Sequence, residues 1–257
     1  MNLDLIHAIE RMANVKIRIK GENLHVDGWL NLSGCTSLTE LPDNLHVEYW
    51  LDLSGCTGLT ELPENLHVKG SLDLSGCTSL IELPNNLHVK GSLDLSGCTS
   101  LTELPDNLHV DDELFLSGCT GLTELPDNLH VGGCLRLNRC TSLTALPDNL
   151  YVGGNFYFED CTCLTEIPEN LHVRGWFFLE GCVNLKSNEH YVISENIGRS
   201  SSKAIYKIST NVIKCGLFSG TLDEFEKRAN DVCSSVEGFE QLDEYIELCR
   251  SHQLKKI

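Results

Sequence analysis

The pattern of apolar and polar positions repeats every 21 residues over most of the chain, and Leu51 to Ser71 is one unit. Within the repeat, the segment Val68-x-Gly70-x-Leu72-x-Leu74 places apolar residues at alternate positions, which is typical of a half-buried strand. One such strand cannot bury its apolar face alone. We therefore expect successive units to stack as a parallel sheet, with neighbouring strands about 4.8 Å apart.

Turn-forming residues occupy fixed slots of the unit. All seven prolines, from Pro42 to Pro168, fall in one slot, and seven asparagines, from Asn44 to Asn170, fall in another. Together with the recurring Ser-Gly pair, they predict two bends in each unit around short extended pieces. Eight units would then form an open solenoid on the order of 40 Å long.

Eight of the 13 cysteines are spaced 21 residues apart: Cys35, Cys56, Cys77, Cys98, Cys119, Cys140, Cys161 and Cys182. A fixed interval indicates a repeat and not a disulfide framework. Side chains in a parallel ladder do not converge for a disulfide, and a line of single cysteines does not supply the four ligands of a zinc site. We therefore expect reduced, buried thiols and no bound metal.

The unit Leu-x-Leu-Ser-Gly-Cys-x-x-Leu-x-x-Leu-Pro resembles a leucine-rich repeat. It is similar to the cysteine-containing repeats of plant disease-resistance receptors, and its Leu-Pro-x-x-Leu half is similar to the repeats of bacterial secreted effectors. The resemblance covers residues 24 to about 186. It implies an α/β-type repeat solenoid that is dominated by a parallel β-sheet, has few helices and curves into an arc. It also implies that each cysteine packs under a turn and satisfies backbone groups of neighbouring coils.

One segment departs from that family. His-Val-x-Gly stands where the usual repeat carries a further leucine, so a flatter coil like that of a β-helix stays open. Seven histidines recur in this segment, with Tyr151 in place of one: His25, His46, His67, His88, His109, His130 and His172. Imidazoles stacked about 5 Å apart resist simultaneous protonation, so we expect a neutral ladder and a stability that depends on pH.

The net charge of −18 comes from 37 acidic and 19 basic residues. It argues against direct binding to nucleic acid or to anionic lipid. No apolar run approaches the roughly 20 residues that a bilayer span needs, and residues 1–7 lack the pattern of a signal peptide. We expect a cytoplasmic monomer, with export as an effector by other machinery left open.

The outward strand positions depart from the regular repeat. The central outward slot reads Asn31, Asp52, Asp73, Asp94, Phe115, Arg136, Tyr157 and Phe178. The slot two residues earlier reads Trp29, Trp50, Ser71, Ser92, Glu113, Cys134, Asn155 and Trp176. Exposed aromatic residues and arginine are typical of binding hot spots. The alternative is that Trp176 and Phe178 are covered by the domain that follows.

We therefore predict a noncatalytic protein that binds a partner protein through the concave face of the solenoid, without a cofactor. The candidate residues are Trp29, Trp50, Asp52, Asp73, Asp94, Phe115, Arg136, Tyr157, Trp176 and Phe178. The three aspartates would offer an anionic register to basic side chains of the partner. The alternative function is an acidic nucleic-acid mimic that inhibits a DNA-binding protein, because acidic residues recur beside each Leu-Pro pair; otherwise those residues form a solvated face.

The two ends of the chain differ from the repeat. Residues 1–23 read as a cap, with an amphipathic helix over 3–13 and a strand over 15–19. Residues 187–257 read as a small α+β domain with strands near 191–193, 204–208 and 212–215 and two helices. The first of these helices is opened by a capping box from Thr221 to Glu224. The run from Gly216 to Glu226 resembles a signature of small uncharacterised domains in bacterial and phage proteins.

Catalysis is not expected. Cys215, His190 and His252 could be drawn as a nucleophile and bases, but nothing in their spacing fixes such an arrangement or an oxyanion hole. Phosphate-loop, His-Glu-x-x-His and Gly-x-Ser-x-Gly motifs do not occur in the sequence.

Overall fold

The structure is a computed structural model that describes residues 2–85, 87–194, 204–215, 218–233 and 239–254. Its main body is a β-solenoid whose coils repeat every 21 residues, as the periodicity predicted. For example, His67 pairs in register with His88, and Leu72 pairs with Leu93. Side chains 21 positions apart are therefore neighbours on adjacent coils.

Each coil carries two short parallel strands and not the one continuous strand that the alternation suggested. The chain bends at Lys69 and Gly70, so that His67–Val68 and Leu72–Asp73 belong to different sheets. Val68 and Leu72 are both buried in the core. The alternation thus predicted the inward residues, but it could not locate the bend because the period of two continues on both sides of it.

The first sheet, which we call the histidine sheet, has nine strands. They are β1 (Arg18–Lys20), β2 (Asn23–Val26), β4 (Leu45–Val47), β6 (His67–Val68), β8 (His88–Val89), β10 (His109–Val110), β12 (His130–Val131), β14 (Tyr151–Val152) and β16 (His172–Val173). Strand β1 pairs antiparallel with β2, and the other pairings are parallel.

The second sheet, which we call the variable sheet, has eight strands, all parallel. They are β3 (Leu30–Asn31), β5 (Leu51–Asp52), β7 (Leu72–Asp73), β9 (Leu93–Asp94), β11 (Leu114–Phe115), β13 (Leu135–Arg136), β15 (Phe156–Tyr157) and β17 (Phe177–Phe178). Its strands carry the candidate site on their outward positions.

The repeated cysteines lie inside the solenoid, and the cysteines of the described residues are free thiols. From Cys56 to Cys182, each Sγ donates a hydrogen bond to the carbonyl oxygen of the residue 24 positions earlier. The Cys119 Sγ to Leu95 O distance is 3.0 Å. The expectation of buried thiols that satisfy the backbone of the neighbouring coil is thus confirmed from Cys56 to Cys182, whereas Cys35 on the first coil is half-buried. Burial raises the pKa of Cys98 to about 12, so this thiol stays protonated at neutral pH.

Helix α1 (Leu3–Ala13) covers the first coil, as the amphipathic pattern predicted. The side chain of Asn2 accepts a hydrogen bond from Leu5 N at 3.2 Å, which caps the first turn of the helix. Ile6 and Ile9 are buried against the leucines of the solenoid. The strand that follows starts later than predicted, at Arg18.

The C-terminal part forms an antiparallel sheet of β18 (Tyr191–Ile193), β19 (Ala204–Lys207), β20 (Val212–Cys215) and β21 (Phe218–Thr221), with helices α2 (Leu222–Cys233) and α3 (Phe239–Leu254). Strand β21 was not predicted. The predicted capping box is present: Thr221 N donates to Glu224 Oε2 at 2.8 Å, and Glu224 N donates to Thr221 Oγ1 at 3.3 Å. The predicted loop over residues 198–202 lies outside the described residues.

This sheet packs on the last coil of the solenoid. Tyr191, Ile193 and Ile205 belong to the same apolar core as the solenoid leucines. Lys214 Nζ donates to the carbonyl oxygens of Val173, at 3.1 Å, and of Gly175. The end of the solenoid is thereby covered, and two of its backbone acceptors are satisfied.

In the part of the chain that the structure describes, no helix combines the length and the apolar character that crossing a membrane requires.

Candidate functional site

The outer face of the variable sheet is divided into two halves. In the first half, each residue of the central slot accepts a hydrogen bond from the backbone N–H two residues later: Asn31 from Ser33, Asp52 from Ser54, Asp73 from Ser75 and Asp94 from Ser96. The distances range from 2.8 to 3.0 Å. These contacts are Asx turns, which fix the bend after the strand.

The predicted aspartates therefore have a structural role that the sequence analysis missed. Asp52 is only 7% exposed and also accepts a hydrogen bond from Asn31 Nδ2 at 3.2 Å. The recurring Asp-Leu-Ser triplet was the available signal, because Asx turns join an Asp or Asn to the backbone two residues on.

In the second half, the central slot holds four planar side chains in register. The Arg136 guanidinium carbon lies 5.6 Å from the centroid of the Phe115 ring and 4.2 Å from that of Tyr157. The rings of Tyr157 and Phe178 have centroids 4.6 Å apart and planes 5° from parallel. We call these four residues the aromatic–arginine stack. All four are partly buried, so each keeps some accessible surface.

Neighbouring side chains hold the stack in position. Asn155 Nδ2 donates to the Tyr157 hydroxyl at 3.0 Å, and Asn155 Oδ1 accepts from Trp176 N at 2.9 Å. Trp176 is partly buried beside the stack. Because Trp176 and Phe178 both keep accessible surface, the C-terminal sheet does not cover them completely. This sheet contacts Phe177, whose ring centroid is 5.0 Å from Lys214 Nζ.

Two of the candidate residues lie away from the stack. Trp29 and Trp50 form an edge-to-face pair with centroids 6.1 Å apart at the other end of the variable sheet. The indole of Trp29 is 67% exposed. Strands β7 and β9, which carry Asp73 and Asp94, separate this pair from the stack.

The guanidinium of Arg136 has a buried Nε, and aromatic rings cover both of its faces. Its Nε is buried and has no hydrogen-bond partner among the described residues. The rings of Phe115 and Tyr157 lie on its two sides, because these residues occupy the adjacent strands. The guanidinium is therefore held by cation–π contacts on both of its faces.

The turn after the strand departs from the repeat in two of the four coils of the stack. In the other coils, including those of Phe115 and Phe178, the left-handed position of this turn is occupied by glycine, as at Gly55, Gly118 and Gly181. Arg139 and Asp160 take this position with φ of 63° and 58°. A side chain in this conformation costs about 1 kcal/mol relative to glycine. Neither residue was predicted, although Asn138-Arg139 and Glu159-Asp160 replace the Ser-Gly pair of the repeat.

Comparison of the chain with protein-family models, with curated proteins and with solved structures found no match to any of them. The site is therefore interpreted from its own geometry.

The residues considered for catalysis, Cys215, His190 and His252, lie in the C-terminal part of the chain. Burial raises the pKa of Cys215 to about 11, which leaves its thiol protonated at neutral pH. His190 lies 3.6 Å from a carboxylate oxygen of Glu169 and 3.5 Å from one of Glu189. Within the described ranges, no group of three or more His, Cys, Asp or Glu residues is arranged to hold a metal ion.

The predicted histidine ladder runs along the outer face of the histidine sheet. His46 stacks between His25 and His67 with centroids 4.9 and 4.7 Å away. Farther along, the rings of His109 and His130 are 5.1 Å apart, and the ring of Tyr151 stacks on His130 at 4.4 Å. Burial, followed by the charges of His67 and His25, lowers the pKa of His46. This ladder faces away from the stack because it lies on the other sheet.

Proposed function

We propose that the protein is a noncatalytic interaction protein of the leucine-rich-repeat type, which binds a partner protein through the aromatic–arginine stack and Trp176. The proposal is based on a replacement in the central slot of the variable sheet. The first four strands have Asn or Asp in this slot, and each of these residues forms an Asx turn. The last four strands have the residues of the stack instead: Phe115, Arg136, Tyr157 and Phe178.

This replacement has a cost in stability. One intramolecular hydrogen bond contributes about 0.5–1.5 kcal/mol, and four consecutive coils lack the Asx contact. The unfavourable backbone at Arg139 and Asp160 falls in the same part of the solenoid. Natural sequences break their own structural rules mainly where function requires it. The loss of these turn hydrogen bonds together with accessible aromatic rings is therefore best explained by binding.

The geometry of the stack suits an interface. Tyr157 is held on one side by Arg136 and on the other by Phe178, and its hydroxyl is held by Asn155. Rings fixed before binding lose little conformational entropy when a partner arrives, so their contact area contributes more to affinity. Aromatic side chains and arginine are also the residues that most often dominate interface energies.

Several further features support the rest of this proposal. The protonated state of Cys215 supports a noncatalytic role. The free thiols of the described residues support a reducing, cytoplasmic setting. The cysteine hydrogen bonds between adjacent coils are what the resemblance to leucine-rich repeats implies, and that resemblance is also the basis for proposing a bacterial origin.

The experiment compares capture of partner proteins from the source cell by the wild type and by the double variant Tyr157→Ala/Phe178→Ala. The matched control is Tyr151→Ala/His172→Ala, which removes two rings from the same coils on the other sheet. We expect the first variant to lose the captured protein and the control to keep it, with circular dichroism verifying that both are folded. Equal capture by all three proteins would refute the proposal.

A second candidate function is the acidic nucleic-acid mimic. It is supported by the Leu-Pro edge, where Glu103, Asp106, Glu124 and Asp127 line one open groove. Binding through regular carboxylates should weaken steeply with salt and should survive the loss of Tyr157 and Phe178. Binding through the stack should show the reverse, so a salt series on the same captured protein separates the two functions.

A further inference from the structure

The charge around the aromatic–arginine stack is mostly negative. Five carboxylates occupy positions on or beside the strands that carry it, against the three cations Arg136, Arg139 and Lys214. These carboxylates belong to Asp94, Glu113, Glu159, Asp160 and Glu180. Two of the cations already have partners, because Arg139 Nε lies 3.7 Å from an Asp160 carboxylate oxygen and Lys214 Nζ donates to the carbonyl oxygens of Val173 and Gly175.

The other cation has little surface to offer to an acidic partner. The Arg136 guanidinium lies between the rings of Phe115 and Tyr157, and its Nε is buried. A partner therefore meets ring edges in the middle of this surface and carboxylates along its rim. Electrostatic complementarity then favours a positively charged partner over a negatively charged one.

Glu159 is the rim carboxylate that is best positioned for such a contact. Asn138 Nδ2 donates to Glu159 Oε2 at 2.7 Å, and Glu159 N donates to Asn138 Oδ1 at 3.2 Å. These two bonds fix the side chain beside the stack. Burial, with the nearby charge of Glu180 as the next cause, raises the pKa of Glu159, so its negative charge is not fully compensated within the protein.

From these contacts we propose that the occupant of the stack is a basic segment of the partner protein, in which an apolar side chain packs across the edges of Tyr157 and Phe178 and a neighbouring lysine or arginine pairs with Glu159. The inference rests on the proposed function and adds the chemical class of the partner. The apolar contact provides area that is removed from water, and the ion pair selects the charge of the segment.

The test begins with a library of short random peptides. Peptides are selected on the full-length wild type, and those that also bind Tyr157→Ala/Phe178→Ala are removed. We expect the remaining peptides to be enriched in lysine or arginine next to a leucine, isoleucine or aromatic residue. The best of them is labelled with fluorescein, and its affinity is measured by fluorescence anisotropy.

The second part removes one charge. Glu159→Gln should weaken the labelled peptide about five- to tenfold, whereas the matched control Glu124→Gln, which changes an acid of the Leu-Pro edge, should change it less than about twofold. A version of the peptide with each basic residue replaced by glutamate should not bind.

The outcomes separate this inference from the proposed function. Selected peptides that depend on Tyr157 and Phe178 but are neutral or acidic would overturn the basic partner and leave the binding function standing. Equal effects of Glu159→Gln and Glu124→Gln would also overturn it, because the charge would then act from the whole surface. If no selected peptide depends on Tyr157 and Phe178, both proposals fail.

Discussion

The ring of Tyr157 lies against the ring of Phe178 with a centroid separation of 4.6 Å because the two residues pair directly on β15 and β17. The same register places Arg136 beside Tyr157 and His25 beside His46. Side chains on the surface of the solenoid therefore contact mainly the residues at the same position of the adjacent coils. A substitution should act mainly on the residues 21 positions before and after it.

The first prediction concerns Phe115, which stands where the three preceding coils have an aspartate that forms an Asx turn. Phe115→Asp restores the Asp-Leu-Ser triplet, so the new carboxylate can accept a hydrogen bond from Ser117 N as Asp94 does from Ser96 N. We expect the free energy of unfolding, measured in urea, to stay level or rise by about 1 kcal/mol. Capture of the partner should fall.

A clear loss of stability in Phe115→Asp would contradict the view that the stack replaced a stabilising turn. Asp73→Ala is the reverse control, because it removes an existing Asx contact to Ser75 N. We expect this variant to lose about 1 kcal/mol of stability and to keep its partner.

The second prediction concerns the bend between the two sheets. A Cβ added at Gly70 would overlap the carbonyl oxygen of Tyr49 on the previous coil, whereas a Cβ at Gly28 would meet no atom within 4 Å. Gly70→Ala should therefore cost about 2–3 kcal/mol of unfolding free energy, as expected for overpacking. Gly28→Ala should be neutral or slightly stabilising. Equal stabilities of the two variants would mean that the coils are less closely spaced than described.

The third prediction concerns alkaline pH. Burial raises the pKa of Cys77, Cys98 and Cys140 to about 12, while an unfolded cysteine titrates near about 8.5. The folded state thus binds more protons than the unfolded state above about pH 8.5. The contribution of each thiol is complete below that pH and is lost as the pH rises towards 12, at about 1.4 kcal/mol per pH unit.

Urea unfolding between pH 8 and 10 measures this loss. Cys98→Ala should be less stable at pH 7, because its buried hydrogen bond to Leu74 O is lost. Its stability should nevertheless decline less steeply with pH than that of the wild type. Parallel declines in the two proteins would indicate that Cys98 does not take part.

The fourth prediction concerns the stability of the protein at acidic pH. A lowered pKa at His46 means that the folded state binds fewer protons than the unfolded state, so stability falls as the pH drops below about 6.5. His46→Gln should reduce this fall, as measured by thermal unfolding between pH 7 and 5. Tyr151→His should increase it, because it places a third imidazole between those of His130 and His172.

Much of the fold could be predicted from the sequence because one interval controls it. The 21-residue spacing gave the parallel register, the buried leucines and the line of thiols, and the amphipathic pattern gave α1. The division of each coil into two sheets was not predicted. It depends on the bend at Lys69 and Gly70, which leaves the alternation of Val68 and Leu72 unchanged.

The sequence predicted which side chains lie next to one another in the stack, but not the hydrogen bonds of the aspartates or the backbone conformation of Arg139. Reading every 21st residue placed Phe115, Arg136, Tyr157 and Phe178 in one column, and their contacts follow from that register. The hydrogen bonds of the aspartates depend on side-chain direction after the strand. The backbone of Arg139 depends on its neighbours holding it at positive φ, which residue identity alone does not indicate.

Strands β7 and β9, which carry Asp73 and Asp94, lie between the tryptophan pair and the aromatic–arginine stack and separate these two surfaces. Each coil between them adds one strand separation, about 4.8 Å, and contacts only its two neighbours. Deleting residues 72–92 or duplicating them would move Trp50 and Phe115 closer together or farther apart by that step, without changing either surface. The number of such coils thus sets the distance between the tryptophan pair and the stack. A partner that contacts both surfaces would recognise this distance as well as the side chains.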